Sequence, residues 1–302
     1  MKILTSEDVL DIRMPETDPV PVVLDSPHSG TVYPDDFRYS VGMDLLRYGV
    51  DFEIDDLFGS GPAFGATLIA ARFPRSYIDP NRSPADIDAG MIDGTWPHEV
   101  QPSQKTETGH GLIWRTVGMD QAPVYDRLLS VSEVENRIEK YWRPYRSSLT
   151  AHLEKTAESF GGYWHINCHS MPSVWPNGFE GTGEPVPFDM IIGTRDNDTC
   201  SHEVASHARG LLAGLGFSVA VNVGFKGVDL VRDHGNPAAN RHSLQIEINR
   251  GLYMNEATFE RSDGYEPLRD AMTQFLDAFT EGAACHFGVT TRRKVRRSFR
   301  TS

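Results

Sequence analysis

Along this 302-residue chain, short apolar runs bounded by turn residues alternate with longer stretches of helical period, and that alternation predicts an α/β fold. The runs are Val20–Ser26 (VPVVLDS), Ala66–Ala71 (ATLIAA), Tyr163–Cys168 (YWHINC), Phe188–Gly193 (FDMIIG), Phe217–Asn222 (FSVAVN) and Ser243–Ile248 (SLQIEI). Each is short and rich in branched residues, as strands buried on both faces are. The clearest helix spans Ser132 to Phe160, where Val134, Ile138, Tyr141, Tyr145, Leu149 and Leu153 recur at steps of three or four, with Pro144 kinking or dividing it. Further helices are expected over Asp44–Phe58, over Ser201–Leu215 with Ser201 as N-cap, and over Glu256–Phe287 with a break near Ser262–Gly264. Arg82–Gln121 is rich in Pro, Gly and Asp and has little periodicity; a surface excursion of that length suggests a functional role.

Polar groups stand at the carboxyl ends of these runs, where open α/β sheets gather their ligands. His28 follows the first run in DSPHSG, and His169 follows the third in NCHSMPS. A histidine that merely caps a turn is the plainer reading of each alone. Two at strand ends suit a divalent metal, because neutral imidazole is a common zinc ligand. A catalytic site of that kind adds one carboxylate and keeps a position open for water. The segment VDFEIDDLF supplies acids, with Asp51 and Asp55 four apart on one expected helical face; Asp51 is the first choice, and a solvated acidic face is the alternative.

Glu247 lies inside the apolar run LQIEINRGLY, where a charge without a partner is costly. It either pairs with Arg250 or another arginine, or acts as a general base with a raised pKa. Arginines complete the picture, since guanidinium groups hold carboxylates by paired hydrogen bonds. Arg75, Asn81 and Arg82 cluster in FPRSYIDPNRSP, Arg232 stands in VRDHGNP, and Arg115 is held in reserve; bracing of the turn by Asp79 and Arg82 is the plainer alternative.

Composition narrows the partners. A net charge of −13 opposes nucleic acid or an anionic membrane as the main partner and favours a small molecule, drawn to a locally positive cleft if it is anionic. The tail TRRKVRRSFR runs against that trend and reads as a solvated or self-docking segment, with RNA or membrane contact by such an arm as the alternative, so the expected organisation is one domain over residues 1–290 and a basic tail over 291–302. Three cysteines without paired spacing suit a reducing compartment. No apolar run has the length of a signal peptide or a membrane helix, so a cytoplasmic location is expected.

Together, DSPHSGTVYP, VDFEIDDLF, RFPRSYIDPNR, INCHSMPS and LQIEINRGLYM, spread between Val22 and Met254, resemble the N-formylglutamate amidohydrolase family. The resemblance implies a mixed, mostly parallel sheet flanked by helices, like that of zinc-dependent exopeptidases. It implies hydrolysis of N-formyl-L-glutamate to formate and L-glutamate in histidine breakdown. It also implies one Zn²⁺, or another divalent ion, on His28, His169 and an acid of the DFEIDD segment, with Glu247 as general base. The substrate carboxylates would fall to Arg82, Arg232 and Asn81, with Arg75 behind them. Another N-acyl amino acid as substrate, or a non-catalytic binder of an acidic metabolite, are the competing readings.

Overall fold

All six expected runs contain strands of one sheet, and a seventh strand joins them at its edge. The computed structural model describes residues 6–176 and 181–290; the basic tail lies outside the described residues. In chain order the strands are β1 (Leu10–Arg13), β2 (Val22–Ser26), β3 (Thr67–Ala71), β4 (Tyr163–Met171), β5 (Met190–Gly193), β6 (Val219–Val221) and β7 (Arg241–Asn249). They lie in the order β1-β3-β2-β4-β7-β5-β6. From β3 to β7 the neighbours are parallel, while β1 runs antiparallel at one edge and β5 antiparallel to β7. The sheet is therefore mixed and mostly parallel. β1 went unanticipated because LDIR is short and polar at every second position, as suits an edge strand.

Helices cover both faces. Leu24, Ile166, Cys168, Ile246 and Ile248 pack on one face against the helices Ile54–Leu57, His202–Gly214 and Tyr265–His286. The last of these buries Leu268, Met272, Phe275, Leu276, Phe279 and Ala283 at helical spacing, with the Phe279 ring 5.0 Å from that of Trp164. Each such large apolar side chain stabilises the fold by about 1.5–3 kcal/mol. The helix Arg143–Phe160 covers the opposite face through Tyr145, Leu149 and Leu153. There, the alternate residues of β4 and β7 are His165, Asn167 and His169 beside Ser243, Gln245 and Glu247, all buried. The strands are buried on both faces, as expected, but one face is a polar strip, and burial obliges its groups to find partners.

Two expected helices break. Asp44–Phe58 divides into Met43–Arg47 and Ile54–Leu57, because the Asp51 N–H donates to the His28 carbonyl (3.0 Å) and Glu53 is left-handed at φ 51°. Asp51 and Asp55 consequently do not share a helical face. Between 254 and 261 the chain forms a two-stranded antiparallel pair, Met254–Asn255 with Glu260–Arg261, and the helix begins only at Tyr265. The long helix runs unbroken through Val131–Arg137, a π turn at Ile138–Trp142 and Arg143–Phe160. That wider turn lies just ahead of Pro144, which has no N–H to donate. The excursion from Arg82 to Gln121 is folded: it buries Trp96, Leu112, Ile113 and Trp114 and returns over the carboxyl ends of the central strands.

Candidate active site

The turn after β2 and the end of β4 bring His28 and His169 together. Gly30 is required in this turn, since a Cβ there would lie 2.2 Å from the Phe73 carbonyl oxygen. The Asp51 N–H on the His28 carbonyl places that acid beside the same turn. His28 Nδ1 lies 3.1 Å from His169 Nδ1 and 3.5 Å from Asp51 Oδ2, and His169 Nδ1 lies 2.9 Å from Asp51 Oδ2. All three residues are buried, and their ligand atoms could close on one metal ion.

The second ring nitrogens show why a cation fits. His28 Nε2 is 2.7 Å from Asp79 Oδ1, and His169 Nε2 is 2.7 Å from Asn167 Oδ1. Both partners are acceptors, so each imidazole carries its proton on Nε2 and turns a lone pair at Nδ1 towards the carboxylate. Two nitrogen lone pairs and an anionic oxygen facing one another repel unless a cation lies between them. Their separations are close to the ~3.3 Å edge of a tetrahedron with zinc–nitrogen bonds of about 2.0–2.1 Å. Asp79 is itself braced by Arg75 Nη2 (2.9 Å) and the Asn81 N–H (2.8 Å). Burial opposes its charge, but Arg75, His28 and Arg82 hold its pKa well below the usual carboxylate range.

Asp51 is braced in a similar way. Its Oδ2 is the oxygen that faces both imidazoles. Its other oxygen, Oδ1, accepts from Arg250 Nη2 (3.0 Å) and Ser170 Oγ (3.3 Å). Asp55 points elsewhere, with Oδ2 on Arg13 Nη2 at 3.1 Å.

Glu247 stands opposite His169 in the β4–β7 ladder and lines the same cleft. Oε1 accepts from Gln245 Nε2 at 2.7 Å, while Oε2 is buried without a protein partner among the described residues. Burial, reinforced by the nearby Asp51 charge, raises its pKa above that of an ordinary glutamate. Arg250, one sequence-level candidate to neutralise Glu247, is instead spent on Asp51.

A cleft of about 420 Å³ opens over these groups, lined also by Arg75, Arg82, Lys105, His110 and Trp114. Burial and the two arginines depress the Lys105 pKa to about 8 and that of His110 to about 4, where Lys105 also contributes.

A model of the N-formylglutamate amidohydrolase family matches residues 20–254. The chain belongs to the N-formylglutamate amidohydrolase family. N-formylglutamate deformylase of Pseudomonas putida is 28% identical over 268 residues, covering 86% of this chain and 92% of that protein. The corresponding protein of Pseudomonas aeruginosa is 27% identical over 271 residues, with the same coverages. The crystal structure of N-formylglutamate amidohydrolase from Ralstonia eutropha JMP134 is 42% identical with a TM-score of 0.87, covering 92% of this chain and 99% of that one. The matched family region spans every residue placed at the cleft above.

Of the residues singled out from sequence, His28, Asp51, His169, Glu247, Arg75, Asn81 and Arg82 line this cleft. Arg232 does not: its side chain is half exposed and paired with Asp229 and Asp233, because the short helix Asp229–His234 turns it away. Arg115 pairs with Asp88 on the outside of the excursion. Asn81 accepts from the Leu230 N–H at Oδ1 (2.9 Å) and directs Nδ2 towards Asn167 Oδ1 (3.4 Å), beside the His169 ring. Lys105, His110 and Gln245 also line the cleft without being singled out by the sequence patterns, and Asp79, beyond bracing its turn, meets His28 Nε2. The signal for Gln245 was present in the alternation of SLQIEI; nothing local marks Lys105.

Proposed function

We propose that this protein hydrolyses the amide bond of N-formyl-L-glutamate to formate and L-glutamate with the aid of one zinc ion. The observation that carries this reading is a buried carboxylate with a raised pKa, Glu247, set beside a three-residue ligand cluster in a cationic cleft. Zinc held by His28, Asp51 and His169 supplies Lewis acidity to the acyl oxygen and to the attacking water. Glu247 Oε2 takes the proton from that water as its oxygen bonds to the formyl carbon. The same oxygen returns the proton to the leaving nitrogen as the C–N bond breaks. Arg75, Arg82 and Lys105 supply the positive charge that holds the two substrate carboxylates. Burial and the neighbouring cations keep His110 neutral near pH 7, so it meets the substrate as an uncharged imidazole.

Lys105 makes substrate capture pH-dependent. Its pKa is lowered to about 8, so the cleft loses a positive charge as pH rises through that value. We expect kcat/KM, which reports the free enzyme, to carry an alkaline fall of roughly tenfold, the equivalent of about 1.4 kcal/mol. Lys105→Arg should abolish that fall, and Lys105→Met should be weak at every pH; an unaltered alkaline limb in Lys105→Met refutes the assignment.

The deciding experiment is formate release from N-formyl-L-glutamate beside N-acetyl- and N-succinyl-glutamate, before and after chelation and zinc restoration. Turnover of the formyl substrate that is lost with the metal and restored with zinc is the expected result. Zinc-loaded protein that leaves N-formyl-L-glutamate intact would overturn the proposal.

A further inference from the structure

Beneath the cleft, and away from its lining, a second cluster of polar groups occupies the sheet. Asp25 of β2 is fully buried, as are His165, Asn167 and Ser243 of the neighbouring strands and Tyr145 of the covering helix. Asp25 Oδ1 accepts from His165 Nε2 (2.8 Å) and Asn167 Nδ2 (2.8 Å), and Oδ2 accepts from Tyr145 OH (2.6 Å). His165 Nδ1 is 2.7 Å from Ser243 Oγ. The order Ser–His–Asp has the outline of a nucleophilic triad, but Ser243 is fully buried and no substrate can reach it. The catalytic machinery described above uses none of these groups except through Asn167.

We propose that Asp25 is a positioning residue that sets the tautomer of His169 through Asn167, and so prepares Nδ1 of that histidine to bind the metal. The proposal rests on the reading of His28, Asp51 and His169 as metal ligands. Burial alone would raise the Asp25 pKa, but hydrogen bonds from His165, Tyr145 and Asn167 hold it below the usual range. An ionised carboxylate has no proton to give, so Asn167 must turn its NH₂ to Asp25 and its oxygen to His169 Nε2. That oxygen can only accept, so a neutral His169 carries its single proton on Nε2 and leaves the Nδ1 lone pair facing His28 and Asp51.

The Asn81 amide is compatible with this arrangement. Its Oδ1 is committed to the Leu230 N–H, which leaves Nδ2 3.4 Å from Asn167 Oδ1 and 3.3 Å from His169 Nε2, and with a proton on Nε2 only the Asn167 oxygen can accept from it. A structural charge alone would be an expensive way to fill this space, since burying an ion costs several kcal/mol before its partners repay it. His165, Asn167 and His169 recur every second residue along β4 and Asp25 lies opposite Asn167 on β2, so the contacts run one step across the sheet and one step along the strand.

Asp25→Asn keeps the shape but removes the acceptor-only carboxylate, releasing Asn167 to turn over. Zinc affinity, measured by competition with a chromophoric chelator, should fall by about 10–100-fold. In the metal-free protein, nitrogen shifts of labelled histidine should move His169 from the Nε2–H form to a mixture. Ser243→Ala disturbs the same cluster without touching Asn167 and should leave both readouts at wild type, which general loosening would not. Should Asp25→Asn fail to fold, Asn167→Ala tests the same link and should lose the same affinity. Wild-type affinity with an unchanged His169 tautomer in the folded variant overturns the proposal. If the wild-type chain binds no zinc, the ligand reading fails, and the tautomer comparison still decides the role of Asp25.

Discussion

Glu247→Gln should lower kcat by about 10²–10⁴-fold while leaving zinc content unchanged. Glutamine keeps the shape and the contact with Gln245 but cannot hold a proton at Oε2, the buried oxygen that lacks a protein partner among the described residues. KM should move little, because the substrate carboxylates are assigned to Arg75, Arg82 and Lys105 on the cleft wall. Steady-state kinetics with metal analysis checks this, and wild-type turnover by the variant would remove Glu247 from the mechanism. The same substitution carries a stability signature. A carboxyl whose pKa is raised on folding binds its proton more tightly in the native state, so its contribution is full below the unfolded value and is lost as pH rises through the folded one. Metal-free wild-type protein should therefore weaken from about pH 5 upward relative to Glu247→Gln, by an amount readable in denaturant midpoints.

Asp51→Ala should abolish zinc binding and turnover and also cost about 3–5 kcal/mol of stability. Two functions are lost together: Oδ2 faces both histidines, and Oδ1 neutralises the buried Arg250 guanidinium. Without that oxygen, Arg250 is left charged in the interior with the Ser170 Oγ and the Tyr48 carbonyl as its remaining hydrogen-bond partners among the described residues. Asp55→Ala is the contrasting variant. Its carboxylate meets Arg13 at the partly exposed edge of the sheet, a pair of a class worth about 0–1 kcal/mol, and activity should persist. Zinc content and urea midpoints of the two variants give the comparison; an active, zinc-loaded Asp51→Ala would exclude Asp51 as ligand.

The strands were legible because their signals are local. Branched apolar runs between turn residues write the sheet into the chain at β2 through β7, and turns such as SPHSG carry a histidine to the strand end whatever lies around it. The alternation in YWHINCHS and SLQIEIN was legible too, yet reading both faces as merely buried hid the polar strip that joins Asp25 to His169. Asp44–Phe58 misled for a related reason: helical spacing was present, but the His28 carbonyl captured the Asp51 N–H and the helix gave way.

The sequence by itself determined which chemistry was on offer: two strand-end histidines, an acidic segment, a glutamate inside an apolar strand, and arginines near them. Only the tertiary structure decided the partners. It set Asp51 rather than Asp55 beside the histidines, sent Arg250 to Asp51 across 199 residues, turned Arg232 outward and brought Lys105 over the cleft. The physical reason is range. Backbone propensity and turn chemistry act over a few residues, whereas hydrogen bonds and charge act over a few ångströms, and only folding brings distant residues that close.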